Sequence, residues 1–150
     1  MGFVATPYVP PLNPSRGALR MAAIVRAVVR VPGLRAFLLL PAVARSGYWF
    51  ATSAAFLWGG ILFGRFGTRE QLHFYDYLPR WAFGRGGTTI GAIYLTRDNE
   101  DDGVLQHERV HTEQWRRYGL CFIPLYIAAG TTALGNRFEV EAGLARGHYL

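Results

Sequence analysis

The sequence contains a single cysteine and no lysine. Cys121 by itself cannot form an intramolecular disulfide, and one chain cannot supply the four thiolates of an iron–sulfur cluster or of a cysteine-based zinc site. Because Cys121 lies within an apolar run, we expect it to be buried as a small apolar side chain. These scarcities exclude a disulfide scaffold and argue against a cysteine-rich redox function.

All 16 basic residues are arginine, and the net charge is +6. A basic balance suits nucleic acid, anionic lipid or an acidic protein partner. No aromatic or glycine-rich module of a known RNA-binding type accompanies the early arginines, so we expect no nucleic-acid partner. Six of them fall in the first third of the chain: Arg16, Arg20, Arg26, Arg30, Arg35 and Arg45.

The chain of 150 residues, half of them hydrophobic, is long enough for one core. Composition divides it into a flexible, proline-rich tail (1–15), an arginine-rich and apolar helical region with a tendency to associate with membranes (16–80), and a core that carries the motif described below (81–150). We expect no secretory signal peptide, because four of the first 15 residues are proline and no early positive charge precedes an apolar run.

Two segments favour membrane association. Residues 18–31 intersperse arginines with aliphatic residues, which predicts an amphipathic helix that packs on the core or lies on an anionic membrane surface. Residues 46–64 contain no charge and just reach the length of a membrane span, although serine, threonine, alanine and glycine dilute their hydrophobicity. We therefore expect the protein at the cytoplasmic membrane, with the cytoplasm as the alternative.

The chemistry is concentrated in one segment of the HExxH type, His107-Glu108-Arg109-Val110-His111. Residues four apart lie on one face of a helix, so both imidazoles can reach one metal ion, for which zinc is the natural choice. Zinc lowers the pKa of a bound water to about 7. Glu108 then acts as the general base that accepts the proton of this water as it attacks a carbonyl.

A catalytic zinc ion needs a third protein ligand. Glu139 is our choice, because Glu139, Ala142 and Gly143 share one face of the last predicted helix, and the small residues would let this helix approach the motif helix closely. Glu141 points away from that face and is the first alternative. His73 and His148 are the remaining candidates.

Local patterns predict the elements around the motif. Residues 66–87 suggest loops with a short helix around 70–77, and 86–98 read as one strand of about eight residues. Acidic residues favour a helix start near 101–103, and the motif helix should then run to Tyr118, before a glycine stop. A last helix is expected at 136–147. The predicted fold class is α+β, mainly helical, with a short sheet packed beside the HExxH helix.

The segments WAFGRGG, VLQHERVH and RFEVEA resemble the core of the gluzincin-type zinc metallopeptidases of the HtpX and CAAX-prenyl-endopeptidase type, over residues 81–146. The wider form HERVHTEQWRRYG, followed later by NRFEVEAG, is also similar to a group of small actinobacterial HExxH proteins. The resemblance implies that His107, His111 and Glu139 are zinc ligands and that Glu108 is the catalytic base. Gly143 stands where the family commonly has an aspartate that supports a ligand histidine.

The resemblance also implies a substrate-binding strand. In that family a strand beside the cleft pairs with an extended peptide, so residues 88–96 are either such a strand or an ordinary member of the sheet. Independently of the resemblance, Asp98 and Glu113 are candidates to orient a ligand imidazole, and for Glu113 we favour a solvated face.

Three functions remain open at this point. The first is a zinc-dependent metallopeptidase or related hydrolase that acts on a peptide or protein substrate. The second is a non-catalytic protein in which zinc joins two helices, and the third is a membrane-surface adaptor with a vestigial motif. The sequence leaves the oligomeric state and the metal in the cell undetermined.

Overall fold

The computed structural model describes residues 14–82 and 86–150, which form six α-helices and one four-stranded sheet. The helices are α1 (Arg16–Val29), α2 (Pro32–Leu38), α3 (Pro41–Ile61), α4 (Asp102–Tyr118), α5 (Phe122–Ala129) and α6 (Arg137–Ala142). The strands are β1 (Arg65–Arg69), β2 (Leu72–Asp76), β3 (Gly87–Ile90) and β4 (Ile93–Thr96). This architecture confirms the predicted α+β fold with a short sheet.

The predicted tail and one resemblance segment fall largely outside this description. Of residues 1–15, only Pro14 and Ser15 are described, and Ser15 caps α1 by accepting a hydrogen bond from the main-chain nitrogen of Ala18, at 3.1 Å. Within WAFGRGG, residues 83–85 lie outside the described residues. The predicted amphipathic helix at 18–31 is α1, which ends shortly before Pro32 opens α2.

The sheet has the strand order β1-β2-β4-β3. β1 pairs with β2 and β3 pairs with β4, both antiparallel, whereas β2 and β4 are parallel neighbours at the centre. The two central strands come from opposite sides of the boundary that composition indicated at residue 80. The arginine-rich part and the motif-bearing part therefore share one sheet and its core.

The short helix expected around 70–77 is wrong, because this segment forms β2. Glu70 and Gln71 make the two-residue turn between β1 and β2, and both have positive φ, 52° and 63°. A turn with positive φ at both central residues joins antiparallel strands well, but it usually uses Asn-Gly or Asp-Gly. Because neither pair occurs here, no local pattern indicated the hairpin.

The single strand expected at 86–98 is also wrong, because β3 and β4 form a hairpin that turns at Gly91 and Ala92. Gly91 has φ of +61°, and a Cβ on it would lie 2.5 Å from the main-chain nitrogen of Thr52 on α3. The main-chain nitrogen of Ala92 donates to the hydroxyl of the same threonine at 3.0 Å. Contact with α3 therefore stabilises a turn that the alternating pattern of residues 86–98 did not indicate.

The motif helix confirms its predicted bounds. Asp101 is the N-cap, and its side chain accepts a hydrogen bond from the main-chain nitrogen of Val104 at 3.0 Å. Such a cap satisfies one of the free N–H groups at the start of a helix. Gly119 ends α4 with φ of +56°, where a Cβ would lie 2.3 Å from the carbonyl oxygen of Ala44. The end of α4 is thus packed tightly against α3.

The last helix is shorter than the predicted 136–147. α6 stops at Ala142, because Gly143 adopts φ of +96° and the chain continues in turns. Glu139 and Ala142 both lie on the buried face of this short helix, while Gly143 lies just beyond its end. Cys121 is buried and free, as expected.

Helix α3 contains the uncharged stretch for which a membrane span was considered. Its buried stripe consists of small residues and one tyrosine: Ala44, Gly47, Tyr48, Ala51, Ala55 and Gly59. In the described part of the chain, no helix combines the length and the apolarity needed to cross a bilayer.

The contact between Gly59 and the buried ring of Tyr75 on β2 gives a test of this packing. Gly59→Ala would place a Cβ 2.3 Å from that ring, and we expect overpacking to lower the free energy of unfolding by about 1–3 kcal/mol. The matched control is Gly60→Ala, since a Cβ there meets nothing nearer than 4.0 Å. Gly60→Ala should raise the free energy of unfolding by up to about 1 kcal/mol, because alanine favours a helix more than glycine does. Urea unfolding of both variants measures the difference, and equal effects would contradict the tight approach.

Candidate metal centre

Helix α4 brings His107 and His111 side by side on its buried face. Their Nε2 atoms are 3.1 Å apart, and the two side chains are only 1% and 8% exposed. Helix α6 brings Glu139 against them, with Oε2 3.0 Å from Nε2 of His107 and Oε1 3.5 Å from Nε2 of His111. One ligand atom of each residue lies within 4.8 Å of those of the other two. The structure therefore brings together the three residues that the sequence selected as ligands.

Neighbouring groups hold Glu139 in place. Asn136 caps α6 by accepting a hydrogen bond from the main-chain nitrogen of Phe138 at 3.0 Å, and its side-chain nitrogen donates to the carbonyl oxygen of Tyr126 on α5, also at 3.0 Å. The phenol of Tyr126 donates a hydrogen bond to Oε1 of Glu139. Phe138 packs edge-on against Phe122 of α5, with ring centroids 5.1 Å apart. These contacts fix α6, and with it the carboxylate, relative to α5.

The second nitrogen of each imidazole faces an oxygen acceptor. Nδ1 of His107 is 3.1 Å from the carbonyl oxygen of Gly143, and Nδ1 of His111 is 2.7 Å from Oε1 of Gln114. The amide of Gln114 is oriented because its nitrogen donates to the carbonyl oxygen of Phe138 and to Oε2 of Glu141, each at 3.0 Å. Since both acceptors require a proton on Nδ1, the neutral imidazoles direct their Nε2 lone pairs at Glu139, as in metal sites.

The groups that orient the imidazoles differ from those expected. Gly143 supplies a main-chain carbonyl where the resembling family has an aspartate, so the missing side chain is replaced by backbone. Asp98 does not reach either ligand and lies 3.9 Å from Arg97, and Glu113 forms an exposed ion pair with Arg116. The expectation that Asp98 or Glu113 orients a ligand is therefore wrong, and the solvated alternative for Glu113 holds.

One carboxylate oxygen of Glu139 lies among the three groups without a hydrogen-bond donor. Among the buried side-chain atoms of residues 14–82 and 86–150, Oε2 of Glu139 is the one without a hydrogen-bond partner. It touches Nε2 of His107, but with the proton on Nδ1 both atoms are acceptors. Two lone pairs and a buried carboxylate can share this space only if a positive charge, a proton or a metal ion, lies among them.

The pKa shifts follow from the same convergence. Burial tends to raise the pKa of Glu139, but the close approach of the His107 and His111 imidazoles outweighs it and holds this pKa well below its usual range. Burial tends to lower the pKa of His111, but the close approach of Glu139 and the charge of Glu108 raise it. The site therefore favours an ionised carboxylate and attracts positive charge.

The spacing of the three groups suits zinc. Ligand atoms about 2.0–2.1 Å from a tetrahedral zinc ion are about 3.3 Å from one another. The two Nε2 atoms are 3.1 Å apart and Oε2 of Glu139 is 3.0 Å from Nε2 of His107, both close to that value, while the other oxygen, Oε1, lies 3.5 Å from Nε2 of His111. Two imidazoles and one carboxylate are also a common donor set of catalytic zinc sites.

The other candidate ligands are engaged elsewhere. His73 lies on β2 and pairs with a threonine hydroxyl of β1 at 2.9 Å. His148 contacts Asp101 at 2.9 Å. Glu141 accepts from Gln114 and so lies behind the imidazole of His111. The choice of Glu139 over these three agrees with the geometry, although metal binding itself stays a prediction.

Glu108 lies beside a pocket of about 360 Å³ that His111 and Glu139 also line. Its Oε2 accepts a hydrogen bond of 2.7 Å from the hydroxyl of Thr89 on β3. Burial raises the pKa of Glu108, while the nearby imidazoles and the threonine hydroxyl oppose this shift. The remaining walls are mostly apolar and aromatic: Ile90, Trp115, Phe122, Ile123, Tyr126 and Ile127.

Only β3 of the expected strand 88–96 borders the pocket, since β4 lies between β3 and β2. At Thr89 the indole nitrogen of Trp115 donates to the main-chain oxygen, at 2.8 Å. Helix α4 therefore occupies the outer edge of β3 at that residue. Pairing of β3 with an extended substrate stays a prediction.

Sequence reasoning missed four residues that shape the site: Thr89, Gln114, Tyr126 and Asn136. Gln114 had a usable signal, because it follows His111 by three residues and so lies on the same helix face. Thr89 and Tyr126 come from elements distant in the sequence, and no local pattern connects them with the motif.

No protein-family model matches the chain, and neither a curated protein nor a solved structure shows significant similarity to it. The resemblance to gluzincin-type metallopeptidases therefore stays a prediction. The case for a metal centre depends on the geometry of the site.

The ligand set is tested by metal content. After zinc reconstitution and removal of excess metal, we expect about one zinc ion per chain in wild type and in Glu108→Gln, and none in His107→Ala or Glu139→Ala. His148→Ala is the control, because this exposed histidine lies outside the cluster. Elemental mass spectrometry measures the content. Absence of zinc from the wild-type protein would refute the site.

The role of Gln114 behind His111 is tested by zinc affinity. Gln114→Leu keeps the size of the side chain but removes the acceptor for Nδ1, and we expect zinc to bind about 10- to 100-fold more weakly. Glu113→Gln changes the preceding, exposed residue and should leave the affinity unchanged. Competition with a fluorescent chelator gives both dissociation constants, and equal values would show that Gln114 does not orient the ligand.

Proposed function

We propose that this protein is a zinc-dependent hydrolase of the metallopeptidase type, acting on a peptide or a related acyl compound. The observation that supports this most is that two residues of the three-ligand cluster, His111 and Glu139, line the same pocket as Glu108. Structural zinc sites close with four protein ligands, whereas catalytic sites keep three and leave one position open.

The proposed chemistry divides between the metal and Glu108. A zinc ion held by His107, His111 and Glu139 would supply Lewis acidity, which would make a water acidic enough to lose its proton near neutral pH. Glu108 accepts that proton and later delivers it to the leaving group. The hydroxyl of Thr89 holds the carboxylate of Glu108 at the pocket wall, and burial raises its pKa, which helps it to retain a proton between the two transfers.

The pocket walls favour a substrate with an apolar group next to the reacting carbonyl. A cavity of about 360 Å³ accommodates a side chain or a short acyl group. The aromatic rings of Trp115 and Phe122 supply apolar contact. Because the main-chain oxygen of Thr89 already accepts a hydrogen bond from Trp115, a bound peptide would pair with the beginning of β3 only.

A purely structural zinc site is the second candidate, and the deep burial of the cluster favours it. His107 is 1% exposed and Glu139 is 3% exposed, and together they join α4 to α6. In that case zinc removal lowers the melting temperature, because an ion that binds only the folded state stabilises it. The hydrolase proposal predicts this effect as well, so stability alone does not separate the two functions.

Turnover separates the two candidates. On quenched-fluorescent peptides with apolar residues flanking the scissile bond, we expect zinc-loaded Glu108→Gln to cleave at least about 100-fold more slowly than wild type, since the general base is lost. Zinc content and melting temperature should stay unchanged. Glu113→Gln is the control with an equal charge change on the exposed side of α4. Equal cleavage by Glu108→Gln and wild type would exclude the mechanism, and no zinc-dependent cleavage by wild type would favour the structural role.

A further inference from the structure

Helix α3 reverses the usual arrangement of side chains. Its small residues face the core, and large apolar residues face outward: Trp49, Phe50, Phe56, Leu57, Trp58 and Ile61 are all exposed. Phe50, Leu57 and Ile61 lie at the centre of this outer side, because their spacing of seven and four residues keeps them on one helix face. Soluble proteins rarely expose a contiguous apolar surface of this kind without a partner.

Small residues inside and large residues outside are typical of helices that contact lipid. In membranes, small residues let helices pack closely on protein, while bulky apolar residues face the hydrocarbon. Gly59 and Gly47 have this inward role, since a Cβ on either would lie within 2.7 Å of a neighbouring group. The apolar outer side therefore follows from the way α3 packs.

An apolar groove of about 480 Å³ adjoins this outer side. It is lined by Leu38 of α2, by Val43, Gly47 and Phe50 of α3, and by Leu120 beyond α4. Phe50 belongs both to the groove and to the exposed face of α3. The groove connects α2 with α3 and offers room for the end of an acyl chain.

The charge of the same region selects the partner. No acidic residue precedes Glu70, whereas eight arginines do: Arg16, Arg20, Arg26, Arg30, Arg35, Arg45, Arg65 and Arg69. Arg16 and Arg20 on α1 are exposed. An excess of positive charge in the same stretch of the sequence as exposed apolar side chains suits a surface that is both anionic and apolar.

We propose that the outer side of α3, together with the arginines of α1, docks this protein in the plane of an anionic lipid bilayer. Leu57, Ile61 and Phe50 enter the boundary between headgroups and acyl chains, and Trp49 and Trp58 lie at headgroup depth, where indole rings are favoured. The arginines contact anionic headgroups. One face of α3 remains packed on the protein, so the helix lies along the membrane surface.

The charge distribution argues against a second copy of the chain as the occupant. Two such surfaces facing each other would bring two all-positive segments together and repel. This inference does not depend on the metal centre, because no ligand of the cluster belongs to α1, α2 or α3.

Vesicle flotation with the full-length protein tests the proposal. We expect wild type to float with vesicles of phosphatidylcholine and phosphatidylglycerol (3:1), but not with phosphatidylcholine alone, and to bind less at high salt. The double variant Leu57→Gln/Ile61→Gln removes apolar area from α3 and should weaken binding at least about tenfold. Its control is Leu134→Gln/Val140→Gln, two exposed apolar residues remote from α3 in sequence, which should float like wild type.

A second pair of variants tests the contribution of the arginines. Arg16→Gln/Arg20→Gln should weaken binding to anionic vesicles about tenfold or more. Arg80→Gln/Arg146→Gln makes the same charge change at exposed residues outside the early arginines and should leave binding near that of wild type. Far-UV circular dichroism and melting curves of all four variants check that each is folded, and a variant that fails this check is replaced by its single substitutions.

Four results would overturn the proposal. The first is wild type that stays in the soluble fraction with anionic vesicles. The second is an equal loss of binding in the test and control pairs. The third is a dimer in light scattering that Leu57→Gln/Ile61→Gln dissociates, which would assign the surface to a second copy of the chain. The fourth is displacement from vesicles by an oligonucleotide that binds more tightly, which would assign the surface to nucleic acid.

Discussion

The approach of two imidazole nitrogens and one carboxylate within a buried space is the contact on which the rest of this structure depends. Burying a carboxylate with an unpartnered oxygen opposes folding unless positive charge accompanies it. His107 and His111 supply two lone pairs there, and Glu139 supplies the negative charge. The backbone of Gly143 and the amide of Gln114 hold these lone pairs in place, so the cluster is organised to receive a cation.

The scaffold explains how a small chain holds such a cluster. Helix α4 provides two ligands and Glu108 from one turn of helix, so their relative positions are nearly fixed by helical geometry. Other elements supply the remaining groups of the site. Helices α5 and α6 position the carboxylate of Glu139, and β3 supplies Thr89, which binds Glu108. Trp115 links α4 to β3 through the main-chain oxygen of Thr89, which makes the pocket wall continuous with the motif helix.

The buried cluster and the outer side of α3 differ in their exposure to solvent. The candidate metal ligands His107, His111 and Glu139 are buried, whereas the outer side of α3 exposes its largest apolar side chains. Hydropathy alone does not distinguish a span from a helix lying on a membrane, because both are rich in apolar residues. Packing limits α3 in a way that hydropathy does not show: Gly59 faces the ring of Tyr75, so one side of α3 is in contact with protein and only the other side is exposed.

The local sequence determined the features that depend on neighbours along the chain. The spacing of His107 and His111, the cap at Asp101 and the stop at Gly119 are set within one helix, and the choice of Glu139 followed from helical spacing and small neighbours. Tertiary structure decided the two hairpins, since positive φ at Glu70 and Gln71 is tolerated only because β2 gains partners on both sides. It also decided which groups orient the ligands: a main-chain carbonyl has no sequence signature, because every residue possesses one, and only the fold brings a particular carbonyl to a particular imidazole.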